Sequence, residues 1–188
     1  MTGKLIIVSA PSGAGKTTII KQLLKQDFRL EFSVSACSRK MRAGEKHGVD
    51  YYFMSAGEFR NKIAADEFLE WEEVYTDHLY GTLKSEVDRI WNKGNNVIFD
   101  VDVKGGINIK KYYGKEALSL FIMPPSVEEL EKRLRSRSTD SDKDIKTRID
   151  KAKEEISRSG SFDRIIINDD LDTAIREAIE TVGNFLQQ

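Results

Sequence analysis

Short apolar runs, separated by amphipathic stretches, recur along the chain. Four of them show no alternation of polar and apolar residues, and they cover residues 5–8, 96–102, 118–123 and 165–168. Runs of this kind are typical of parallel strands that helices cover on both faces. Because stretches with helical periodicity lie between the runs, the pattern predicts an α/β fold with a parallel sheet flanked by helices.

Three helices are indicated by apolar spacing and by the residues at their ends. Thr82 is the predicted N-cap of a helix over residues 83–93, and Gly94 follows its end. Ser126 begins a capping-box pattern that predicts a second helix. Apolar residues at helical spacing over residues 175–186 predict a third, whose apolar face packs on the sheet.

Two stretches do not follow the alternation of strand and helix. The first mixes short β-like runs at residues 32–35 and 51–53 with one helix capped by Ser55, and it is typical of an inserted substrate domain. The second, residues 133–148, is rich in Arg, Ser, Thr and Asp, and we expect a mobile lid there. The predicted division is a core of residues 1–32, 82–125 and 155–188, an insert of residues 33–81 and a lid of residues 126–154.

Composition restricts the expected partners and cellular compartment of the protein, but it does not indicate a reaction. The 188 residues carry a net charge of −1, so no bulk electrostatic argument favours nucleic acid or a membrane as a partner. The single cysteine, Cys37, excludes an internal disulfide and suits a reducing compartment. No apolar stretch approaches the ~20 residues that cross a bilayer, and the first strand leaves no room for a signal peptide. We therefore expect a cytoplasmic protein with small-molecule partners, whose oligomeric state the sequence does not indicate.

The residues after the first apolar run form a phosphate-binding loop. Ala-Pro-Ser-Gly-Ala-Gly-Lys-Thr at residues 10–17 lies between a predicted strand and a predicted helix, as such a loop requires. Lys16 can reach the β- and γ-phosphates of ATP, and the Thr17 hydroxyl can ligate Mg²⁺. Ala10 replaces the usual first glycine, but a small residue still permits the tight turn. The predicted ATP contacts in the loop are Ser12, Gly13, Ala14, Gly15, Lys16, Thr17 and Thr18.

A second group of residues suits a phosphorylated purine. Arg39 and Arg42, three residues apart, can surround a phosphomonoester because the guanidinium fork binds phosphate oxygens in pairs. A carboxylate such as Glu70 can accept two N–H bonds from guanine, which offers N1–H and N2–H₂ together. Asp100 and Asp102 end an apolar strand and, being two residues apart, are expected to share one face and one site.

On these motifs the chain resembles the guanylate kinase family essentially from end to end; its members phosphorylate GMP with ATP. The motifs include the phosphate loop, residues 35–53, Tyr80-Gly81-Thr82 and residues 100–106. The resemblance implies a P-loop NTPase core, an inserted mixed α/β GMP-binding domain and a small helical lid. It implies a direct in-line phosphoryl transfer to GMP, and to dGMP as well. The site residues that it implies for GMP are Ser35, Arg39, Arg42, Glu45, Tyr51, Glu70, Tyr80, Thr82, Asp100 and Asp102.

The same resemblance implies the remaining roles. Arg133, Arg137 and Asn168 would join the loop in binding ATP, with Asn168 near the adenine. Asp100 would lie near the Mg²⁺ that Thr17 ligates, directly or through a water molecule. The implied catalytic residues are Lys16, Arg39, Arg137 and Arg148.

Two other functions remain open at this point. One is a non-catalytic guanylate-kinase-like module that binds phosphopeptides, although such modules have degraded phosphate loops. The other is a kinase for a different phosphorylated metabolite on the same scaffold, against which Glu70, Thr82 and Asp102 argue.

Overall fold

The computed structural model describes residues 3–136 and 141–188. In chain order the elements are β1 (Leu5–Ser9), α1 (Lys16–Leu23), β2 (Leu30–Phe32), β3 (Ala36–Cys37), β4 (Tyr52–Phe53), α2 (Ala56–Ala64), β5 (Phe68–Tyr75), β6 (His78–Leu83), α3 (Lys84–Trp91), β7 (Asn96–Asp100), α4 (Val103–Tyr113), β8 (Ala117–Met123), α5 (Val127–Ser136), α6 (Asp142–Ser157), β9 (Arg164–Ile167) and α7 (Leu171–Leu186). Short 3₁₀ turns lie at Gly114–Glu116 and Ser159–Ser161.

A five-stranded parallel sheet in the order β2-β7-β1-β8-β9 forms the centre of the molecule. Strand β1 is buried along its whole length. Its residues alternate between two apolar clusters: Ile6 and Val8 pack towards α1 and α7, whereas Leu5 and Ile7 pack towards α3 and α4. Helices therefore cover both faces, and the predicted α/β class with a flanked parallel sheet is confirmed.

A second, mixed sheet is built entirely from the chain between β2 and α3. Its order is β4-β3-β6-β5, with β3 and β4 parallel and the other neighbours antiparallel. Helix α2 packs on it through the buried Phe59, whose ring stacks on Phe68 at 4.3 Å between centroids. The capping box of Ser55 and Glu58 is present at the start of α2, as the sequence predicted.

Helices α5 and α6 pack on each other through a small apolar cluster that includes Leu130, Leu134, Ile145 and Ile149. Ser126 caps α5 by accepting a hydrogen bond from the Glu129 N–H at 3.1 Å. Over the described ranges, no helix combines the length and the apolar content that a membrane span needs.

Three details of the sequence prediction are wrong. Residues 32–35 do not form a strand of the second sheet, because β2 ends at Phe32 and pairs with β7 in the first sheet. Thr82 is not a helix cap: it lies in β6, and its hydroxyl is used across the strand pair by Glu70. Asp102 is not on the strand with Asp100. It caps α4 and accepts a hydrogen bond from the Gly105 N–H at 2.7 Å.

Candidate active site

The phosphate loop joins β1 to α1 and depends on two glycines with left-handed backbone conformations. Gly13 has φ of 94° and Gly15 has φ of 96°, a region that side chains rarely adopt. A Cβ on Gly15 would also lie 2.3 Å from Asn168 Nδ2. That amide donates a hydrogen bond of 2.7 Å to the Ala14 carbonyl, so Asn168 supports the loop from below.

Lys16 begins α1 and extends back across the sheet edge. Its Nζ lies 2.5 Å from Asp100 Oδ1 and donates to the Val101 carbonyl at 3.1 Å. Because Asp100 ends β7, the neighbour of β1, the ammonium is fixed at the carboxyl ends of the central strands. Ligands of open α/β sheets bind at this edge.

A polar cavity of about 450 Å³ opens above the loop. Arg148 of α6 reaches into it and donates to Ser12 Oγ at 3.0 Å. Ala14 is fully buried, so it contributes to the loop's support rather than to the cavity wall. The residues that line this first cavity are Ala10, Pro11, Ser12, Gly13, Gly15, Lys16, Thr17, Thr18, Asp100, Val101, Asp102, Arg148, Lys151 and Glu155.

A second cavity, of about 230 Å³, lies between the two sheets. It shares Asp100, Val101, Asp102 and Lys151 with the first, so the two cavities meet at one wall. The other residues that line it are Ser35, Tyr51, Glu70, Glu72, Val74, Tyr80 and Gly81.

Glu70 lines the second cavity, and Thr82, which is not among the lining residues, lies behind it on the opposite strand. They are register partners of β5 and β6, and the buried Thr82 donates to Glu70 Oε1 at 2.6 Å. Burial raises the pKa of Glu70 to about 7, and the Asp102 carboxylate adds to the rise although the Thr82 hydrogen bond opposes it. Glu70 is therefore a carboxyl that gains from any ligand supplying N–H donors.

Arg39 is held by Glu45 next to Tyr51, one of the residues that line the second cavity. Its two terminal nitrogens donate to the Glu45 carboxylate at 2.7 and 2.6 Å, and its guanidinium lies 5.0 Å from the centre of the Tyr51 ring. The hydrogen bonds from Arg39 lower the pKa of Glu45 to about 2. Arg42 is exposed, and its backbone N–H donates to the Glu45 carboxylate at 2.7 Å.

The predicted lid residues are only partly at the cavity. Arg133 donates to the Asn168 carbonyl at 3.0 Å and lies 3.6 Å from Glu129, so it ties α5 to the end of β9. Arg137 lies outside the described residues. Asn168 is 3% exposed, and its Oδ1 has no partner among the described atoms, so its side chain contacts the loop rather than open space.

Three residues that were not predicted as site residues also line the cavities: Lys151, Glu155 and Glu72. A signal was present: Arg148, Lys151 and Glu155 are spaced by three and four residues, which places them on one face of a helix. It was not recognised because residues 133–148 were interpreted as a polar lid segment, and no helix with defined bounds was predicted between residue 141 and residue 165.

The residues present fit a Mg²⁺ ion bound together with a nucleotide. Thr17 is exposed and lines the first cavity, and Asp100 supplies a carboxylate to the same cavity. In the described ranges no group of three or more Asp, Glu, His or Cys side chains is arranged so that it could hold a metal ion by itself. A dedicated cage is not needed, since Mg²⁺ commonly takes one or two protein oxygens and completes its shell with phosphates and water.

Comparison with known proteins gives one consistent family. The family model for guanylate kinase matches residues 2–185. The guanylate kinase of Bacteroides thetaiotaomicron is 56% identical over 188 residues, which cover 100% of this chain and 92% of the relative. That of Porphyromonas gingivalis is 54% identical over 97% of this chain and 98% of its own. The crystal structure of guanylate kinase from Anaplasma phagocytophilum superimposes with a TM-score of 0.76 at 27% identity, covering 100% of this chain and 88% of that one.

Proposed function

The chain belongs to the guanylate kinase family, whose activity is the transfer of a phosphoryl group from ATP to GMP, and we propose that its first cavity takes ATP and its second takes GMP. The observation that carries this assignment is the wall of Asp100, Val101 and Asp102 that the two cavities share. Because the cavities meet at this wall, the γ-phosphate of ATP in the first cavity would lie close to the phosphate of GMP in the second.

The donor half is assigned to the phosphate loop. Gly13 and Gly15 line the first cavity, and Gly15 is the N-cap of α1, so the cavity opens at a helix N-terminus, where anions are favoured. Lys16 would exchange its contact with Asp100 for the β- and γ-phosphates. Arg148 and Arg133 are assigned to the donor side with Arg137, and Asn168 positions the loop near the adenine.

The acceptor half is assigned to Glu70 and its neighbours. Guanine N1–H and N2–H₂ can donate together to the Glu70 carboxylate, whereas adenine presents an acceptor at N1. Thr82 orients that carboxylate, and Asp102 and Ser35 complete the base site. Tyr51 and Tyr80, with Arg39 and Arg42 behind them, are assigned to the GMP phosphate; Glu45 holds Arg39 in place.

Mg²⁺ is the proposed cofactor, held by Thr17 and by Asp100 directly or through water. When bound it neutralises charge on the donor phosphates. The loop amides, Lys16 and the arginines neutralise the remainder, which matters because two anionic substrates must approach each other.

The transfer needs positioning more than proton chemistry. A GMP phosphate oxygen, already anionic at neutral pH, attacks the γ-phosphorus in line. The bond from that phosphorus to the β,γ-bridging oxygen breaks, and ADP leaves with its electron pair. Lys16, Arg148 and Arg39 orient the two phosphates, and the same site is expected to accept dGMP.

The division of the chain follows from this assignment. We propose residues 33–81 as the GMP-binding insert, residues 126–154 as the lid, and residues 1–32, 82–125 and 155–188 as the core, in a cytoplasmic enzyme. A non-catalytic module that binds phosphopeptides is not favoured, because such modules have degraded phosphate loops and this chain keeps a complete loop with Lys16. A kinase for a different phosphorylated metabolite is not favoured either, because the Glu70 carboxylate, oriented by Thr82, suits the N–H donors of guanine.

A coupled ADP-release assay with GMP, dGMP, AMP, CMP and UMP tests the proposal. Turnover is expected with GMP and dGMP. The variant Glu70→Gln should lose about 100-fold in kcat/KM for GMP, because the amide presents a donor where guanine needs an acceptor. Glu73→Gln, on the exposed part of the same strand, is the matched control. No turnover with GMP, or equal effects of the two variants, would refute the assignment.

A further inference from the structure

The chain passes twice between the two sheets, and both passages lie beside one side chain. The first passage is residues 33–35, from β2 to β3. At its start the Ser33 N–H donates to the Ile98 carbonyl of the first sheet at 3.0 Å, and at its end the Ser35 carbonyl accepts from the Tyr52 N–H of the second sheet at 2.9 Å. The second passage is the direct junction of β6 and α3 at Leu83. Glu86 lies in the first turn of α3, immediately after it.

Glu86 is a buried carboxylate that receives hydrogen bonds from both sides of the passage. It is 2% exposed. Its Oε1 accepts from the Val34 N–H, in the middle of the first passage, at 3.0 Å. Its Oε2 accepts from the Tyr52 hydroxyl, on β4 of the second sheet, at 2.8 Å.

The charge of Glu86 is neutralised from the core side. Arg89, one turn further along α3, donates through Nε at 2.8 Å and through a terminal nitrogen at 2.7 Å. The other terminal nitrogen of Arg89 contacts Glu31 of β2 at 2.5 Å, and Lys93 and Asn95 also bind Glu31. The carboxylate is thus anchored to α3 and β2, which both belong to the part of the molecule that carries the phosphate loop.

The two groups that Glu86 holds, one in the first passage and one in the second sheet, are adjacent in sequence to residues of the second cavity. Val34 precedes Ser35, and Tyr52 follows Tyr51, and both Ser35 and Tyr51 line that cavity. Glu86 itself is not among the residues that line it. Any shift of Glu86 relative to the passage is therefore transmitted to the cavity wall through one peptide unit on each side.

We propose that Glu86 is a positioning residue for the acceptor site: it is the fixed point at which the second sheet is attached to the first, and it sets the position of Ser35 and Tyr51 for GMP. The proposal rests on the assignment of GMP to the second cavity. Hinges of closing domains are a few residues at element ends, and the segment 33–35 with the β6–α3 junction has this form. The Tyr52 hydroxyl is the side-chain link from the second sheet to this anchor.

The test is the variant Tyr52→Phe, which removes one hydroxyl and leaves the ring packing in place. Tyr113→Phe, at another partly buried tyrosine on α4 away from both cavities, is the matched control. In Tyr52→Phe the KM for GMP should rise roughly three- to tenfold, while the KM for ATP stays within twofold of the wild type, because the phosphate loop is untouched. In Tyr113→Phe both constants should remain at the wild-type values.

Glu86→Gln is expected to have a larger effect than Tyr52→Phe. Its amide N–H₂ would face the Arg89 donors, and the hydrogen bonds from both Val34 and Tyr52 would be weakened. Where that variant is soluble and folded by circular dichroism, its KM for GMP should exceed that of Tyr52→Phe. A lowered Tm with an unchanged KM for GMP in Tyr52→Phe would show a merely structural role and overturn the proposal. So would an equal rise in both KM values. If the wild type itself failed to turn over GMP, the failure would belong to the assignment of the cavity rather than to Glu86.

Discussion

At the scale of single residues, the Glu70 carboxylate is in an environment that is unfavourable for its charge until a ligand binds. It is buried beside Asp102, with the Thr82 hydroxyl as its described hydrogen-bond donor. The ionised form is therefore under-solvated in the free protein. Two N–H donors from guanine would relieve this, so part of the binding free energy comes from correcting an unfavourable environment.

This environment predicts a pH dependence of stability. In the unfolded chain Glu70 has a pKa of 4.5, and in the folded protein the pKa is about 7. Between these values the folded state holds a proton that the unfolded state has lost, so the contribution of Glu70 to stability falls as pH rises from 4.5 through 7. Glu70→Gln, which has no charge to bury, should therefore gain relative to the wild type by about 1–3 kcal/mol between pH 5 and pH 8.

Urea unfolding of both proteins at the two pH values measures this gain. The exposed variant Glu73→Gln serves as the control and should show no comparable change with pH. A constant difference between Glu70→Gln and the wild type at pH 5 and pH 8 would contradict the buried, proton-holding state of Glu70.

Residue types at the site were largely readable from the sequence, but their contacts were not. Lys16 and Glu70 follow from the loop motif and from the chemistry of guanine. The capping role of Asp102 did not follow, because it depends on where β7 ends, and sequence patterns place element ends only within a few residues. The partnership of Arg39 with Glu45 depends on a turn that no periodicity describes.

At the scale of elements, the phosphate loop is constrained from both of its sides. Leu130 and Leu134 of α5 lie where a Cβ on Gly13 would contact them at 3.2 and 3.0 Å, and Asn168 lies against Gly15. The loop is therefore enclosed by α5 and by the end of β9. Its shape depends on side chains more than 100 residues away in the sequence, and this dependence explains why so short a motif can hold a defined geometry.

Gly15→Ala tests this constraint. The positive φ of Gly15 and the 2.3 Å approach to Asn168 Nδ2 should together cost about 2 kcal/mol or more in stability and raise the KM for ATP at least tenfold. Gly57→Ala in α2 is the matched control, because a Cβ there meets nothing within 4 Å and the helix should gain up to about 1 kcal/mol. Thermal unfolding and ATP titration measure both effects. Equal behaviour of the two variants would exclude the constraint.

The elements were predictable where apolar pattern and end signals agreed, as in β1, β8, α2 and α7. Prediction failed at β2, whose three residues are too few to show a period and which pairs with β7 across more than 60 residues of sequence. The apolar pattern also gave no bounds for α6, although the resemblance implied a helical lid over residues 126–154, because the apolar residues of α6 pack mainly on α5 and are sparse among charged ones. Short strands and strongly charged helices are defined by tertiary partners, which a local pattern does not contain.

At the scale of the whole molecule, the two cavities meet at a wall but use separate elements for recognition. The first depends on the phosphate loop and α6, and the second on β5, β6 and the passage at residues 33–35. A substitution in one cavity should therefore leave the binding of the nucleotide in the other cavity unchanged, whereas turnover should require both cavities. The sequence resemblance predicted this arrangement of two substrates, but the shared wall became visible only in three dimensions.

Reciprocal variants measure this separation. Lys16→Ala should lower kcat by about 100-fold or more, because the donor phosphates lose their ammonium, yet leave the dissociation constant for GMP within about threefold. Glu70→Gln should weaken GMP binding and leave ATP binding unchanged. Isothermal titration with each nucleotide alone gives both constants. Loss of GMP binding in Lys16→Ala would show that the two halves are not separate.

The strand order β2-β7-β1-β8-β9 also determines when each part of the chain can fold during synthesis. As the chain leaves the ribosome, β1 emerges first but must wait about 90 residues for β7 and more than 110 for β8, its two neighbours. The second sheet, by contrast, is complete once residue 83 is out. The acceptor half is thus able to form while the apolar β1 is still unpaired, and that interval is when the nascent chain most needs protection from aggregation.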